Sequence, residues 1–456
     1  MTDPVSQPPT LAEATGTWTR VAALSFGGPA GQIAVMHRIL VEEKKWISEE
    51  RFLHALNFCM LLPGPEAQQL ATYIGWLMHG VRGGLIAGTL FIIPGAISIL
   101  VLSWIYAANQ QSSAIQALFY GLKPAVLAIV FEAVLRIGKR VLKNRLMNGI
   151  AGLSFIAIFF FAVPFPIIVI AAGLIGYCGG RIAPKQFLIL KGHGGTTGTE
   201  DIHDLHMAPV VPSWGRTLRV SFLCLSLWFG PLIALYYWLG PDSIYLRQGL
   251  FFSQAAVVTF GGAYSVLAYV AQQAVERFHW LKPTEMLNGL GMAETTPGPL
   301  IMVVQYVAFM GAYRDPGPLS PLMAGVLGSA ITTWVTFVPC FYWIFLGAPY
   351  IERLRGQKLL TAALSTITAA VVGVVLNLAV WFAIHTVFAD VSSVTCGWLH
   401  LECPRWGSLD LAASGIAVLA LILTFRMKVT MPITLLISAA VGAIGYLWKR
   451  QIWISE

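Results

Sequence analysis

The chain has 456 residues, 57% of them hydrophobic and 11% charged, with a mean hydropathy of +0.71. A soluble domain carries roughly 25% charged residues, so a cytosolic enzyme, a disordered chain and a nucleic-acid binder are excluded and a polytopic, all-α membrane protein remains. The net charge of +8 reads as a topology signal, and six Cys with 44 Gly suit helical membrane packing better than a disulfide scaffold.

Residues 1–16 form a polar, Pro-containing tail with no basic n-region, so no cleavable signal peptide is expected. Val21 to Met36 is apolar with a central Gly-Gly, and Phe52 to Val81 is interrupted by Pro63-Gly64-Pro65. Leu85 to Ala107 is free of charge and long enough for a span, which needs about 20 apolar residues. A helix beginning near Ser113 continues through Lys123 to Phe131. Gly149 to Gly180 is broken by Pro164 and Pro166 and reads as two short spans joined by a tight turn.

A polar linker over 181–219 carries Arg181, Lys185, Lys191, Arg216 and Arg219, and Val220 to Gly240 is the next span. Phe251 to Val270 again holds a Gly-Gly, and Met286 to Tyr313 holds Pro297-Gly298-Pro299. Leu319 to Ile351, Leu359 to Ala389, Leu411 to Phe425 and Val429 to Trp448 complete the spans. This makes nine ordinary spans and four broken segments. The broken segments either cross, for 13 spans, or turn back as re-entrant hairpins. Irregular backbone survives at membrane depth only where protein buries it or where it lines a cavity, so the breaks mark an interior site.

The breaks recur. Ser25-Phe26-Gly27-Gly28 is matched by Thr259-Phe260-Gly261-Gly262, Trp46 by Trp280, and Pro63-Gly64-Pro65 by Pro297-Gly298-Pro299, all 234 positions apart. After extra residues around Tyr313 to Pro318, Pro94 matches Pro339 and Ala125-Val126 matches Ala370-Val371 at a spacing of 245. The chain is duplicated. In the first half Arg136, Lys139, Arg140, Lys143 and Arg145 follow the span near 115–135; in the second, Arg353, Arg355 and Lys358 precede its match. The basic end has switched sides, so the repeats are inverted. The organisation expected is a tail (1–16), a first transmembrane repeat (17–180), a cytoplasmic linker (181–219), a connecting span (220–240) and a second, inverted repeat (241–450).

With SFGGPAGQIAVM and LLPGPEAQQLATYIGW in one half and TFGGAYSVLAYV and ETTPGP in the other, the chain resembles the chromate ion transporter family in its long, two-domain form. The resemblance covers roughly residues 17–450. It implies chromate export across a bacterial inner membrane, energised by the membrane potential or proton gradient, with some members linked to sulfate. No cofactor is implied. The partners expected are a small inorganic oxyanion and the lipid bilayer, with a homodimer left open.

Chromate and sulfate are tetrahedral dianions of similar size. Broken helices offer them free N–H groups and the positive end of the macrodipole, and Gly lets backbone approach an oxyanion. The substrate is therefore placed where Phe26-Gly27-Gly28, Phe260-Gly261-Gly262, Pro63-Gly64-Pro65 and Pro297-Gly298-Pro299 converge. Ser25, Asn57, Gln68, Thr259, Asn288, Thr295 and Thr296 are neutral donors nearby. The competing reading is that the glycines serve only close helix packing. Glu66 directly follows one Pro-Gly-Pro and Glu294 precedes the other. A carboxylate at membrane depth is costly and is a functional hypothesis by default, so both are proton-coupling candidates. Lys123 is a possible pathway charge; Arg136 reads as an interfacial snorkeler, and Glu132 as its i,i+4 partner. His54 lies one turn before Asn57. His193, His203 and His206 sit in a Gly- and Thr-rich linker. Cys396 and Cys403 fall in a loop placed outside, where a disulfide is expected.

No GxxxxGK[ST] or HExxH motif is present, so a secondary transporter is the reading. A passive anion channel, a sulfate transporter and an intramembrane enzyme are the alternatives.

Overall fold

A computed structural model describes residues 9–26, 28–188, 213–260, 262–350 and 357–455, with side chains of the last helix described to Tyr446. The described residues are all-α apart from one small hairpin. α1 (Leu11–Leu24) and α2 (Gly28–His37, extended by a π turn over Arg38–Glu43) flank the first Gly-Gly; α3 (Glu49–Cys59) and α4 (Glu66–Ala108) flank the first Pro-Gly-Pro. His79 and Gly80 inside α4 are not helical. Gly75 lies against Gly83 and Gly88 against Thr72, so the chain doubles back there. α4 is thus a short arm ending at Met78 and a long helix beginning at Val81.

The ends of the arms settle what the sequence left open. Arg20 on α1 pairs with Glu43 at 2.6 Å, His37 at the end of α2 pairs with Glu49 at the start of α3, and His79 bonds the Pro9 carbonyl at 2.8 Å. The end of α2 thus meets the start of α3, and the start of α1 meets the end of the α4 arm. In the second half α10 (Ile244–Val258), α11 (Ala263–Gln272), α12 (Pro283–Thr295) and α13 (Val303–Arg314) behave alike. The Phe251 ring lies 5.3 Å from that of Phe278, the Tyr245 hydroxyl donates to the Pro316 carbonyl at 2.8 Å, and Arg314 bonds the Glu285 carboxylate at 2.5 Å. Each broken segment folds back on itself as a helical hairpin.

Among the described residues, the helices long and apolar enough to cross a bilayer are the one within Glu66–Ala108, α5 (Ser113–Val141), α7 (Phe165–Ile182), α9 (Trp214–Leu239), α14 (Pro321–Gly347) and α15 (Lys358–Val387). Of the four shorter apolar helices among the described residues, one is the α13 arm (300–314), and the others are α6 (Arg145–Phe161), α16 (Leu411–Leu421, continued to Arg426) and α17 (Met431–Ser455). A short turn, α8 (Pro184–Phe187), follows α7. The arm and long helix of the first half are joined by His79 and Gly80, but α13 and α14 by residues 315–320, which accounts for part of the changed repeat spacing.

The last helices are exchanged between repeats. α5 packs against α16 and α17, and α15 against α6 and α7. Gly121 of α5 meets Ser438 and Gly442 of α17, while Gly176 of α7 meets Thr366 of α15; absent side chains permit these close crossings. The exchanged helices share one core across the halves: Ile129 and Val130 lie in one apolar cluster with Val371 and Val374.

After α15, β1 (Val391–Cys396) and β2 (Leu399–Pro404) form an antiparallel hairpin. The disulfide expected between Cys396 and Cys403 is not made; both are exposed free thiols. Cys403 pairs with Ser392 and Cys396 with Leu399, which leaves the two cysteines about 13 Å apart at a strand rise of about 3.3 Å per residue, beyond disulfide reach.

Candidate functional site

The four breaks meet as two reciprocal pairs. The Gly64 amide donates to the Thr259 carbonyl at 2.8 Å, and the Gly298 amide donates to the Ser25 carbonyl at 2.9 Å. Gly64 and Gly298 are equivalent in the repeat, as are Ser25 and Thr259. A contact in which residue i of one unit touches j of the other, and j touches i, defines a two-fold relation. A second pair obeys it: a Cβ on Gly64 would lie 2.9 Å from Cys340 Sγ, and one on Gly298 would lie 2.9 Å from Gly95 Cα.

Backbone conformation explains the residue types. Gly28, Gly64, Gly262 and Gly298 have φ of +70°, +124°, +100° and +99°, a region that side chains disfavour. The Ser25 and Thr259 hydroxyls are fully buried and donate back to the carbonyls of Val21 at 2.7 Å and Ala255 at 2.6 Å. They close the incoming helices instead of facing a ligand. The helices that leave the breaks are different: α4 follows Pro65 and α11 follows Gly262, and neither N-cap offers a side-chain hydrogen bond. Their first-turn amides carry the dipole's positive end into the break region.

Gln32, on α2, donates to the Gly298 carbonyl at 2.5 Å, and Gln69 to the Pro63 carbonyl at 2.7 Å. Gln68 is fully buried and bonded to Thr72 at 3.0 Å. Phe26 is 40% exposed and Phe260 is half-buried. The hydroxyls of exposed Thr295 and buried Thr296 bond carbonyls of their own helix end. Pro63, Pro65, Pro297 and Pro299 bracket the turns. Asn57 is half-buried on α3. Asn288 points away from the breaks, donating to the Tyr106 hydroxyl at 2.9 Å. Gly27, Gly261, His193, His203 and His206 lie outside the described residues.

Glu294 is 2% exposed and accepts a hydrogen bond from the Tyr264 hydroxyl at 2.5 Å. Glu66 is half-buried at the start of α4. The two carboxylates flank opposite sides of equivalent turns. Lys123 is half-buried on α5 and is close enough to Glu285, near the outer end of α12, for their charges to interact, not beside the breaks.

Tyr264 was not indicated by the repeat, because its counterpart is Ala30. The basic end of α5 reads from sequence as a topology signal. It instead approaches both breaks: Arg140 Nη2 lies 2.7 Å from Met60 Sδ, immediately after α3, and Arg136 is close enough to Glu294 for its charge to act there.

The chromate transporter family model matches residues 12–177 and 246–445, which hold all four breaks. The chain belongs to the chromate transporter family. This transporter is 24% identical to the chromate transport protein of Cupriavidus metallidurans over 438 residues, covering 96% of this chain and 94% of that one. It is 28% identical to the chromate transport protein of Pseudomonas aeruginosa over 378 residues, covering 82% and 81%. Against a probable chromate transport protein of Synechococcus elongatus it is 24% identical over 368 residues, covering 80% and 82%. No solved structure matches the transporter.

Proposed function

We propose that this protein is a secondary active transporter that exports chromate across the bacterial inner membrane, driven by an ion gradient. The observation that carries the reading is the reciprocal pair Gly64–Thr259 and Gly298–Ser25. It joins four re-entrant tips from two repeats at one place, the arrangement in which inverted repeats alternate access around a central substrate. The dianion sits against the uncapped starts of α4 and α11 and the bare glycine backbone. The basic end of α5 and the central linker face the cytoplasm, by the positive-inside rule.

Glu66 and Glu294 are the groups assigned to proton coupling. A proton on either lets a dianion approach that the charged carboxylate repels, so one proton and the dianion move together as a net negative charge, which a membrane potential negative inside drives outward. The test is uptake of labelled chromate and labelled sulfate into proteoliposomes, with and without an imposed pH gradient. Chromate accumulation that follows the gradient, with trans-stimulated exchange, is expected. Flux without trans-stimulation would make the protein a channel, and accumulation of sulfate alone would make it a sulfate transporter.

A further inference from the structure

We propose that Arg136 and Arg140 form a second, cytoplasm-facing anion site, which receives the dianion before it reaches the breaks. The inference rests on the transport reading above and adds to it a receiving site.

Glu132, Arg136 and Arg140 follow one another at four-residue spacing on α5, so they share one helix face. That face addresses both breaks. Arg140 Nη2 sits 2.7 Å from Met60 Sδ at the lip of the first Pro-Gly-Pro, and its charge reaches Glu66. Arg136 is paired with Glu132, and both charges reach Glu294 and Tyr264 at the second. One row of side chains thus contacts the lip of the first break and lies within electrostatic reach of the carboxylate at the second.

Within the protein, the acceptor that Arg140 meets is a weak one. A thioether is a weak acceptor and a guanidinium has five N–H donors. Arg140 is exposed and, among the described residues, makes no ion pair. A tetrahedral oxyanion accepts two parallel N–H bonds from such a fork. Arg136 has a partner, but the pair is open to solvent, with the side chains 43% and 28% exposed, and exposed ion pairs are worth little. A dianion outcompetes the single charge of Glu132. Two guanidiniums one turn apart, about 6 Å along the axis, then neutralise it.

Lys139 separates this role from simple surface charge. It lies between the two arginines in sequence but lines a different, apolar groove with Gly138, Leu142 and Asn148. Removing its charge changes the local net charge as much as removing that of Arg140.

The experiment uses the full chain in two formats: initial rates of chromate uptake into everted vesicles, and equilibrium chromate binding to the purified protein in detergent. R140Q is expected to raise KM and Kd about tenfold or more, the scale of one lost charge-assisted hydrogen bond, with maximal rate held within about twofold. R140K recovers part of the loss. E132Q, which frees Arg136, is expected to tighten binding, a gain that misfolding cannot produce. K139Q leaves both constants unchanged. Wild-type constants in R140Q and R136Q, or an equal loss in K139Q, overturn the site. If wild-type protein binds chromate and R140Q weakens that binding, but neither transports, the site stands and the transport reading falls.

Discussion

Gly64 and Thr259 belong to different halves of the chain, and the amide of the first donates to the carbonyl of the second at 2.8 Å. The bond ties the tip of one hairpin to the tip of its opposite number, and Gly298 and Ser25 repeat it. A relative movement of the halves must carry both bonds along or break both together.

Alanine at Gly298 is expected to abolish transport. Its Cβ would meet backbone, 2.9 Å from Gly95 Cα and 3.1 Å from Gly95 N, at a φ of +99°. Alanine at Gly64 meets the ends of side chains, Cys340 and Gln69, each at 2.9 Å, but at a φ of +124°. It is expected to cost less than the Gly298 change, the strain of a non-glycine residue at positive φ being roughly 1–2 kcal/mol. Rates in proteoliposomes, normalised to folded protein, check the order.

Glu66→Gln and Glu294→Gln remove the groups assigned to carry protons. An imposed pH gradient should then no longer drive accumulation, while exchange of chromate down its own gradient persists. Tyr264→Phe removes the 2.5 Å bond to Glu294 and should shift the pH profile without flattening it. An unchanged profile in both carboxylate variants sinks the proton-carrier role.

Valine at Gly121 is expected to destabilise the fold at a distance from the breaks. Gly121 meets the Ser438 carbonyl and the Gly442 backbone, which cannot yield as side chains do. Overpacking of this kind costs about 1–3 kcal/mol. The drop should appear as a lower unfolding temperature in detergent, and Gly442→Val should match it.

Glu402 predicts a pH-dependent hairpin. Burial holds its carboxyl above the ordinary carboxylate range, against the opposing bond from Trp381. The docked form therefore binds a proton more readily than the undocked one. Docking is strongest below the ordinary value of about 4.3 and weakens as pH rises through the interval up to the raised one. Fluorescence of Trp398 and Trp406 should change across that interval in the wild type and stay flat in Glu402→Gln.

Cys396 and Cys403 should both react with a thiol reagent under non-reducing conditions. A pair protected until reductant is added would contradict the register that sets Cys403 opposite Ser392.

The breaks were legible because Pro and positive-φ Gly are backbone requirements that leave a mark at each position, and the duplication supplied a second copy of each. Whether they crossed was not, because that depends on where arm ends meet, as with Arg314 and Glu285, and such partners are distant in sequence. The donors counted from sequence divide similarly. Ser25 and Thr259 sit at the breaks but spend their hydroxyls on their own helices, and Asn288 turns to Tyr106. Residue type announces a capacity for hydrogen bonding and not its direction. Arg136 and Arg140 read as topological because charge at a span end has that reading in any membrane protein; the contact of Arg140 with Met60 and the reach of the Arg136 charge to Glu294 separate them from Lys139.

The exchange of end helices has a consequence for biosynthesis. α7 ends at Ile182, but its partner α15 begins only at Lys358. At synthesis rates of about 5–20 residues per second, α6 and α7 wait in the bilayer for roughly 10–35 s with their contact face against lipid. The chain is therefore committed to late assembly: its first half, once inserted, holds an open seam that only the second half can close.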